Sequence, residues 1–266
     1  MRAIQNDDEP EISGRDPFRL DGRVAFVTGA GGGLGEGICA SLAAAGAAVA
    51  CADVDLERAE RIAAQIAQAG GRSLAVGTDI ADAASVEAGV ARAIDELGGV
   101  DILVNNAAIY PRRAWTEITE EEWDRVLAVN LKGYFLCSRA CFPAMKERGR
   151  GRIVNVSSVT FFTGFSMLLD YVSSKGAIVG FTRALAKEVG ADGITVNAIA
   201  PGAFPTDAEK IHRNPEEFNQ WVLDQQAIKR RGGPEDIGSL VVFLSSDASS
   251  FITGQTVVID GGWAMH

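Results

Sequence analysis

Hydrophobic positions along the chain alternate between two periods. Short β-rich runs occupy 23–28 (RVAFVT), 47–53 (AAVACAD), 73–78 (SLAVGT), 100–106 (VDILVNN), 152–158 (RIVNVSS), 194–200 (ITVNAIA) and 255–260 (QTVVID). Several are apolar at nearly every residue, as suits parallel strands covered on both faces. Between them the period lengthens. In DLERAERIAAQIAQAG, Leu56, Ala59, Ile62, Ala63 and Ile66 form one helical stripe. Asp82 and Ser85 open the next helical stretch, and Gly98 and Gly99 close it. This alternation predicts an α/β fold: one doubly wound parallel sheet of about seven strands with helices on both faces. Without internal repeats or low-complexity linkers, residues 21–266 read as a single domain. The polar, acidic start, residues 1–20, reads as a flexible extension.

Composition narrows the function classes. A chain of 266 residues with 47% hydrophobic positions suffices for one large domain. A net charge of −10 gives no broad attraction to nucleic acid or anionic lipid. No apolar run reaches the roughly 20 residues of a bilayer span, and the N-terminus is no secretory signal, so a cytoplasmic location is expected. Cys39, Cys51, Cys137 and Cys141 lie in apolar segments and read as core thiols. With only His212 and His266 available, a Ser-His-Asp triad or a multi-histidine zinc site is nearly excluded, and no metal is expected.

The first strand runs into TGAGGGLGEGICASLAAAGA, where Gly29, Gly33 and Gly35 span the turn into a helix. Glycine lets the backbone turn tightly and approach a ligand, and the helix N-terminus offers free N–H groups to a pyrophosphate. No Lys-Ser or Lys-Thr pair follows, which argues against a nucleoside-triphosphate loop. Asp53 ends the second strand, where a carboxylate can accept from the adenosine ribose and repel a 2′-phosphate. With no arginine beside it, the expected cofactor is NAD. Asp79, ending the third strand, is a second candidate for the adenine edge.

In DYVSSKGAIVGF, Tyr171 and Lys175 share one helix face. A free phenol, with pKa near 10, is a poor base at neutral pH. An ammonium and an oxidised nicotinamide both stabilise phenolate; lowering the pKa by about two to three units takes roughly 3–4 kcal/mol. Ser173, Ser174, Gly176 and Ala177 leave room for a nicotinamide ribose.

Taken together, TGAGGGLG, NNAA, VN, NVSS, YVSSK and APG, in this order, resemble the short-chain dehydrogenase/reductase family from about residue 21 to the C-terminus. The resemblance implies a Rossmann-type sheet and an oxidoreductase. It makes Tyr171 the general acid/base, with Lys175 lowering its pKa and binding the ribose. It gives Ser158 the substrate oxygen, with Ser157 as the alternative, and gives Asn130 a proton-relay water behind the lysine. It also implies that Asn106 sits by the adenosine ribose, and that Ile199 to Gly202, including Pro201, together with Thr206, hold the nicotinamide end. Leu34, Ile80 and Ala107 join the cofactor contacts. A homotetramer is implied too, with Trp263 and Met265 of GGWAMH packed against a neighbour. Two departures from the family pattern are Ala108, where glycine is usual, and Pro205 before Thr206.

For the substrate, Phe161, Phe162, Phe165, Met167, Leu168 and Leu169 lie between Ser158 and Tyr171. Segment 204–230 resembles a lid carrying Phe218, Trp221 and Leu223. These favour an apolar, ring-containing secondary alcohol or ketone. The alternatives are an NADPH-dependent 3-oxoacyl (acyl carrier protein) reductase and a non-catalytic NAD-binding sensor or scaffold.

Overall fold

Each apolar run becomes a strand: β1 Val24–Thr28, β2 Ala48–Asp53, β3 Ser73–Gly77, β4 Ile102–Asn105, β5 Gly151–Val156, β6 Ile194–Pro201 and β7 Thr256–Ile259. The computed structural model describes residues 16–206, 209 and 214–265. His212, His266, most of the expected N-terminal extension and part of the expected lid therefore lie outside the described residues. All seven strands pair in parallel in the order 3-2-1-4-5-6-7. The chain reverses direction across the sheet between β1 and β4, which opens a crevice at the carboxyl ends of those strands.

The helices are α1 Leu34–Ala44, α2 Leu56–Gln68, α3 Ala83–Leu97, α4 Glu120–Leu127, α5 Gly133–Glu147, α6 Thr160–Thr163, α7 Leu169–Val189, α8 Pro215–Gln225 and α9 Pro234–Ser245. Their apolar stripes divide between the two sheet faces. Ile38, Leu42, Ile62, Ile66 and Val241, from α1, α2 and α9, pack on Ala25 and Val27. Val86, Val90, Tyr134, Cys137 and Ile178, from α3, α5 and α7, pack on Val24 and Phe26. Neighbouring residues of β1 thus feed opposite cores, which is why its sequence is apolar throughout. Helix punctuation follows the sequence: Asp82 caps α3 at the N–H of Ala84, and Gly98 closes it with φ 88°. All four cysteines are buried and free. Leu20 is buried, and its N–H bonds the carbonyl of Ala45 at 2.9 Å, which ties the chain ahead of β1 to the domain. Among the described residues no helix is long and apolar enough to cross a membrane.

Two polar networks hold the sheet. At its carboxyl end Asn105 donates to Asn155 at 2.9 Å and to Ser138 at 3.3 Å, and Asn155 donates to Thr182 at 3.0 Å. β4, β5, α5 and α7 are thereby locked in register beneath the crevice. At the opposite end the buried Asp101 carboxylate accepts from the N–H of Val24 (2.9 Å), from Arg148 (3.0 Å) and from Arg150 (2.9 Å). Asp101→Asn replaces one acceptor oxygen with a donor facing an arginine. It should destabilise the fold by about 3 kcal/mol, seen as a lower denaturation midpoint.

Candidate active site

The crevice is a cavity of about 720 Å³ that runs from the glycine loop, past α7, to α8 and Trp263. At its first end Gly33 takes φ 57° and precedes α1, whose N-terminus has no side-chain cap. A Cβ on Gly35 would lie 2.0 Å from the carbonyl oxygen of Gly29, so only glycine allows the loop to close against the helix. This bare N-terminus, with a carboxylate across from it, fits the pyrophosphate and ribose of a dinucleotide. Thr28 braces the loop: its hydroxyl accepts from the N–H groups of Asn106 (3.0 Å) and Ala107 (3.2 Å). The Asn106 amide donates to the carbonyls of Thr28 (2.9 Å) and Gly29 (3.0 Å), so its donors bind protein while the residue also lines the cavity. Sequence reasoning missed Thr28. A buried hydroxyl ending a strand just before a glycine loop was the available signal.

Asp53 is fixed by the N–H of Gly31 at 2.8 Å and that of Asp55 at 3.0 Å. The expectation that no arginine stands near it needs correction. Arg58 lines the same end of the cavity, because the first turn of α2 swings it back toward the strand end. Its guanidinium pairs with Asp55 at 3.2 Å. Asp79 holds a turn through the N–H of Ala81 at 2.9 Å. Asp79, Ile80, Gly29, Gly33, Leu34 and Ala107 all line the cavity, as do Pro201, Gly202 and Thr206, with Thr206 3.8 Å from where a Cβ on Gly33 would stand. Gly35 packs behind the loop, and Ile199 is buried in the core instead.

Midway, α7 carries Tyr171 and Lys175 into the cavity. Ser158 lies close enough to Tyr171 to lower its pKa, and accepts from the Thr160 hydroxyl at 2.9 Å. Ser157 instead donates to the backbone carbonyl of Lys175 at 2.8 Å, pinning α7 to β5. Asn130 sits in a π-helical turn, Ala128–Lys132. Its side chain accepts from the N–H of Ile109 (2.9 Å) and donates to the carbonyl of Ile109 (2.9 Å) and to Ser174 (3.0 Å). It thus bolts the loop after β4 to α7.

Lys175 is 1% exposed. Its Nζ donates to the carbonyl of Val156 at 2.7 Å and lies 5.6 Å from the centroid of the Tyr171 ring. Burial drives its pKa down to about 7. Burial also pushes Tyr171 up to about 12; Ser158 pulls it back and Tyr110 adds to the rise. In the protein without cofactor, then, burial of the phenol is the largest influence on its acidity. The chain has three tyrosines, and all meet here. Tyr110 packs edge-on against Tyr171 at 5.9 Å, and the Tyr134 hydroxyl lies 3.4 Å from Lys175 Nζ.

Four aromatic rings from three segments wall the far end. Phe165 meets Trp221 at 6.0 Å and Trp263 at 6.2 Å; Trp221 meets Phe218 at 5.7 Å and Trp263 at 5.2 Å. Trp263 faces the cavity rather than outward, because the Asp260 carboxylate gathers the N–H groups of Gly262, Trp263 and Ala264 at 2.6–3.1 Å into a turn. Of the residues expected between Ser158 and Tyr171, Phe165 and Leu168 line the cavity. Phe161 lies over Gly176 of α7, and Met167 and Leu169 are exposed. Met167 also has φ 67°, the one positive value at a described non-glycine residue. On α8, Phe218 and Trp221 line the cavity and Leu223 does not.

A family model described as enoyl-(acyl carrier protein) reductase matches residues 29–264. The chain is 43% identical over 244 residues to the short-chain reductase protein NovJ of Streptomyces niveus, covering 90% of this chain and 93% of that protein. It is 39% identical over 243 residues to the (2S)-[(R)-hydroxy(phenyl)methyl]succinyl-CoA dehydrogenase subunit BbsD of Thauera aromatica, covering 91% and 97%. A solved gluconate 5-dehydrogenase from Burkholderia cenocepacia, in complex with NADP and tartrate, superposes with a TM-score of 0.87 at 33% identity, covering 93% and 97%. With this fold, this crevice and these relatives, the chain belongs to the short-chain dehydrogenase/reductase family and is an oxidoreductase that uses a nicotinamide dinucleotide.

Proposed function

We propose that the protein interconverts an apolar, ring-bearing secondary alcohol and its ketone with NAD(H), acting as a cytoplasmic homotetramer. The observation that carries the substrate class is the wall of Phe165, Phe218, Trp221 and Trp263 in the cavity that also holds Ser158 and Tyr171. Four rings bind an apolar ring by burial and edge contacts and offer little to the hydroxyls of a polyol. One relative is named for a substrate with a phenyl-bearing carbinol. Others act on gluconate derivatives; against those the aromatic wall favours the first class. Exposed Phe135 and Leu169, on α5 and α7, support assembly.

In this reading a nicotinamide held in the crevice would supply the hydride chemistry at the carbinol carbon. Ser158 holds the substrate oxygen within reach of Tyr171, which takes the hydroxyl proton in oxidation and returns it in reduction. Lys175, as ammonium, favours the phenolate and holds ribose hydroxyls. Asn130 keeps the loop after β4 against α7, with both of its amide N–H donors engaged by the Ile109 carbonyl and Ser174. Because burial alone leaves Tyr171 near 12, the positive charge of the oxidised cofactor is needed to acidify it. Gly29, Gly33, Gly35, Leu34, Asp53, Asp79, Ile80, Asn106, Ala107, Pro201, Gly202 and Thr206 frame the dinucleotide.

Asp53 supports NAD(H). A second reading, an NADPH-dependent 3-oxoacyl (acyl carrier protein) reductase, draws on Arg58 at the same end of the cavity. Titration distinguishes them: NADH should bind more tightly than NADPH, and the reverse order, abolished by Arg58→Ala, would favour the second reading.

Mixed with NAD⁺ and a panel of aryl and alicyclic carbinols, the protein should form reduced cofactor, with sugar acids much poorer substrates. Tyr171→Phe should lower kcat by about 10³-fold while NADH binding, read by fluorescence, stays within about two-fold. Lys175→Met should abolish turnover yet raise stability by about 3 kcal/mol at neutral pH, because a buried ammonium is replaced by an apolar chain. The native lysine binds fewer protons than the unfolded one between about 7 and 10.5. Parent stability therefore rises with pH across that window, and the advantage of the variant is greatest at or below pH 7 and fades toward pH 10.5.

A further inference from the structure

We propose that Tyr134 is a positioning residue for the reaction: its buried hydroxyl, with the carbonyl of Val156, fixes the Lys175 ammonium so that its remaining N–H points along the cavity. This rests on the reading of Tyr171 and Lys175 given above.

Tyr134 is the second residue of α5 and is fully buried. Its hydroxyl donates to the carbonyl of Val156 at 3.2 Å and accepts from Lys175 Nζ at 3.4 Å. The same carbonyl accepts from Nζ at 2.7 Å. The three groups form a closed triangle at the end of β5. An ammonium has three N–H donors. Two are held by this triangle, and the third is left for a ligand in the cavity that Lys175 lines. The ring adds a second contact, its centroid 5.4 Å from Nζ, nearly the same distance as the Tyr171 ring at 5.6 Å.

Packing does not require that oxygen. A buried hydroxyl is costly unless it is bonded, and phenylalanine would fill the same core volume without that demand. The partners of the hydroxyl all belong to the site. It is also poorly built as a proton carrier, because its own hydrogen ends on a carbonyl, and burial holds its pKa well above the ordinary phenol value. Holding the lysine is the role left to it. The titratable groups that act on Tyr134 are Cys137 on α5 and Tyr171 on α7, and Tyr110, from the loop after β4, packs on Tyr171. β5 contributes only backbone and the hydroxyls of Ser157 and Ser158. Among the described residues no carboxylate pairs with Lys175, so its proton is held by neutral oxygens, and removing one has a direct effect.

The test is Tyr134→Phe, which deletes the oxygen and keeps the ring. With ¹³C-labelled lysine, NMR should follow the Lys175 titration in the substrate-free protein and find it lower by about one pH unit. In turnover, kcat for alcohol oxidation should fall by about ten-fold, with the KM for cofactor changed less and the acid limb of the pH profile moved upward. Tyr134→Met, which fills the space without an oxygen, is a second variant expected to behave the same way. An unchanged Lys175 titration, with a pH profile that superimposes on the parent, would leave Tyr134 a packing residue and overturn the inference. The NMR arm needs no turnover. A normal Tyr134→Phe beside a dead Tyr171→Phe sinks this inference alone, whereas an active Tyr171→Phe sinks the reading beneath it.

Discussion

A buried lysine at the cavity wall, held by a backbone carbonyl and a phenol hydroxyl, is the constraint on which the site depends. The 2.7 Å bond from Lys175 to Val156 fixes a positive charge where water cannot screen it. Screening by solvent is what makes exposed charges weak, so the same charge acts far more strongly here. The arrangement is unfavourable for folding, and the lowered pKa of the lysine measures that cost. A site that needs a charge in a dry crevice carries such a cost, and the rest of the fold offsets it.

The offset comes from polar brackets that leave α7 little freedom. Ser157 holds the backbone carbonyl of Lys175, Asn130 holds Ser174, and Thr182 is held by Asn155. These contacts tie α7 to β5, to the π turn and, through Asn105, to β4. At the cofactor end Thr28 and Asn106 tie the glycine loop to the strand beside it. Reacting groups and cofactor cradle are thus both tied to β4, so a shift of one is felt by the other.

Much of this was legible in the sequence, where chemistry was local. Seven apolar runs became seven strands, because a strand covered on both faces must be apolar throughout. The glycine loop and the Tyr171–Lys175 pair line one cavity, and each pattern depends on residues within a turn or two. Long-range features did not show. Trp263 lies inward because Asp260 gathers three N–H groups, and Phe161 leaves the cavity because Gly176 makes room for it on α7. Tyr134, 41 positions from its partner lysine, carries no local mark. The acidity expected of Tyr171 combines an ammonium with a bound oxidised nicotinamide, and burial of the phenol opposes it.

That balance is also the most direct test. Tyrosinate absorbance can be followed through an alkaline titration of the parent protein, with and without saturating NAD⁺. The account predicts one phenol that titrates near 12 in the cofactor-free protein and about two to three units lower with NAD⁺ bound. Identical titration curves in the two states would contradict it.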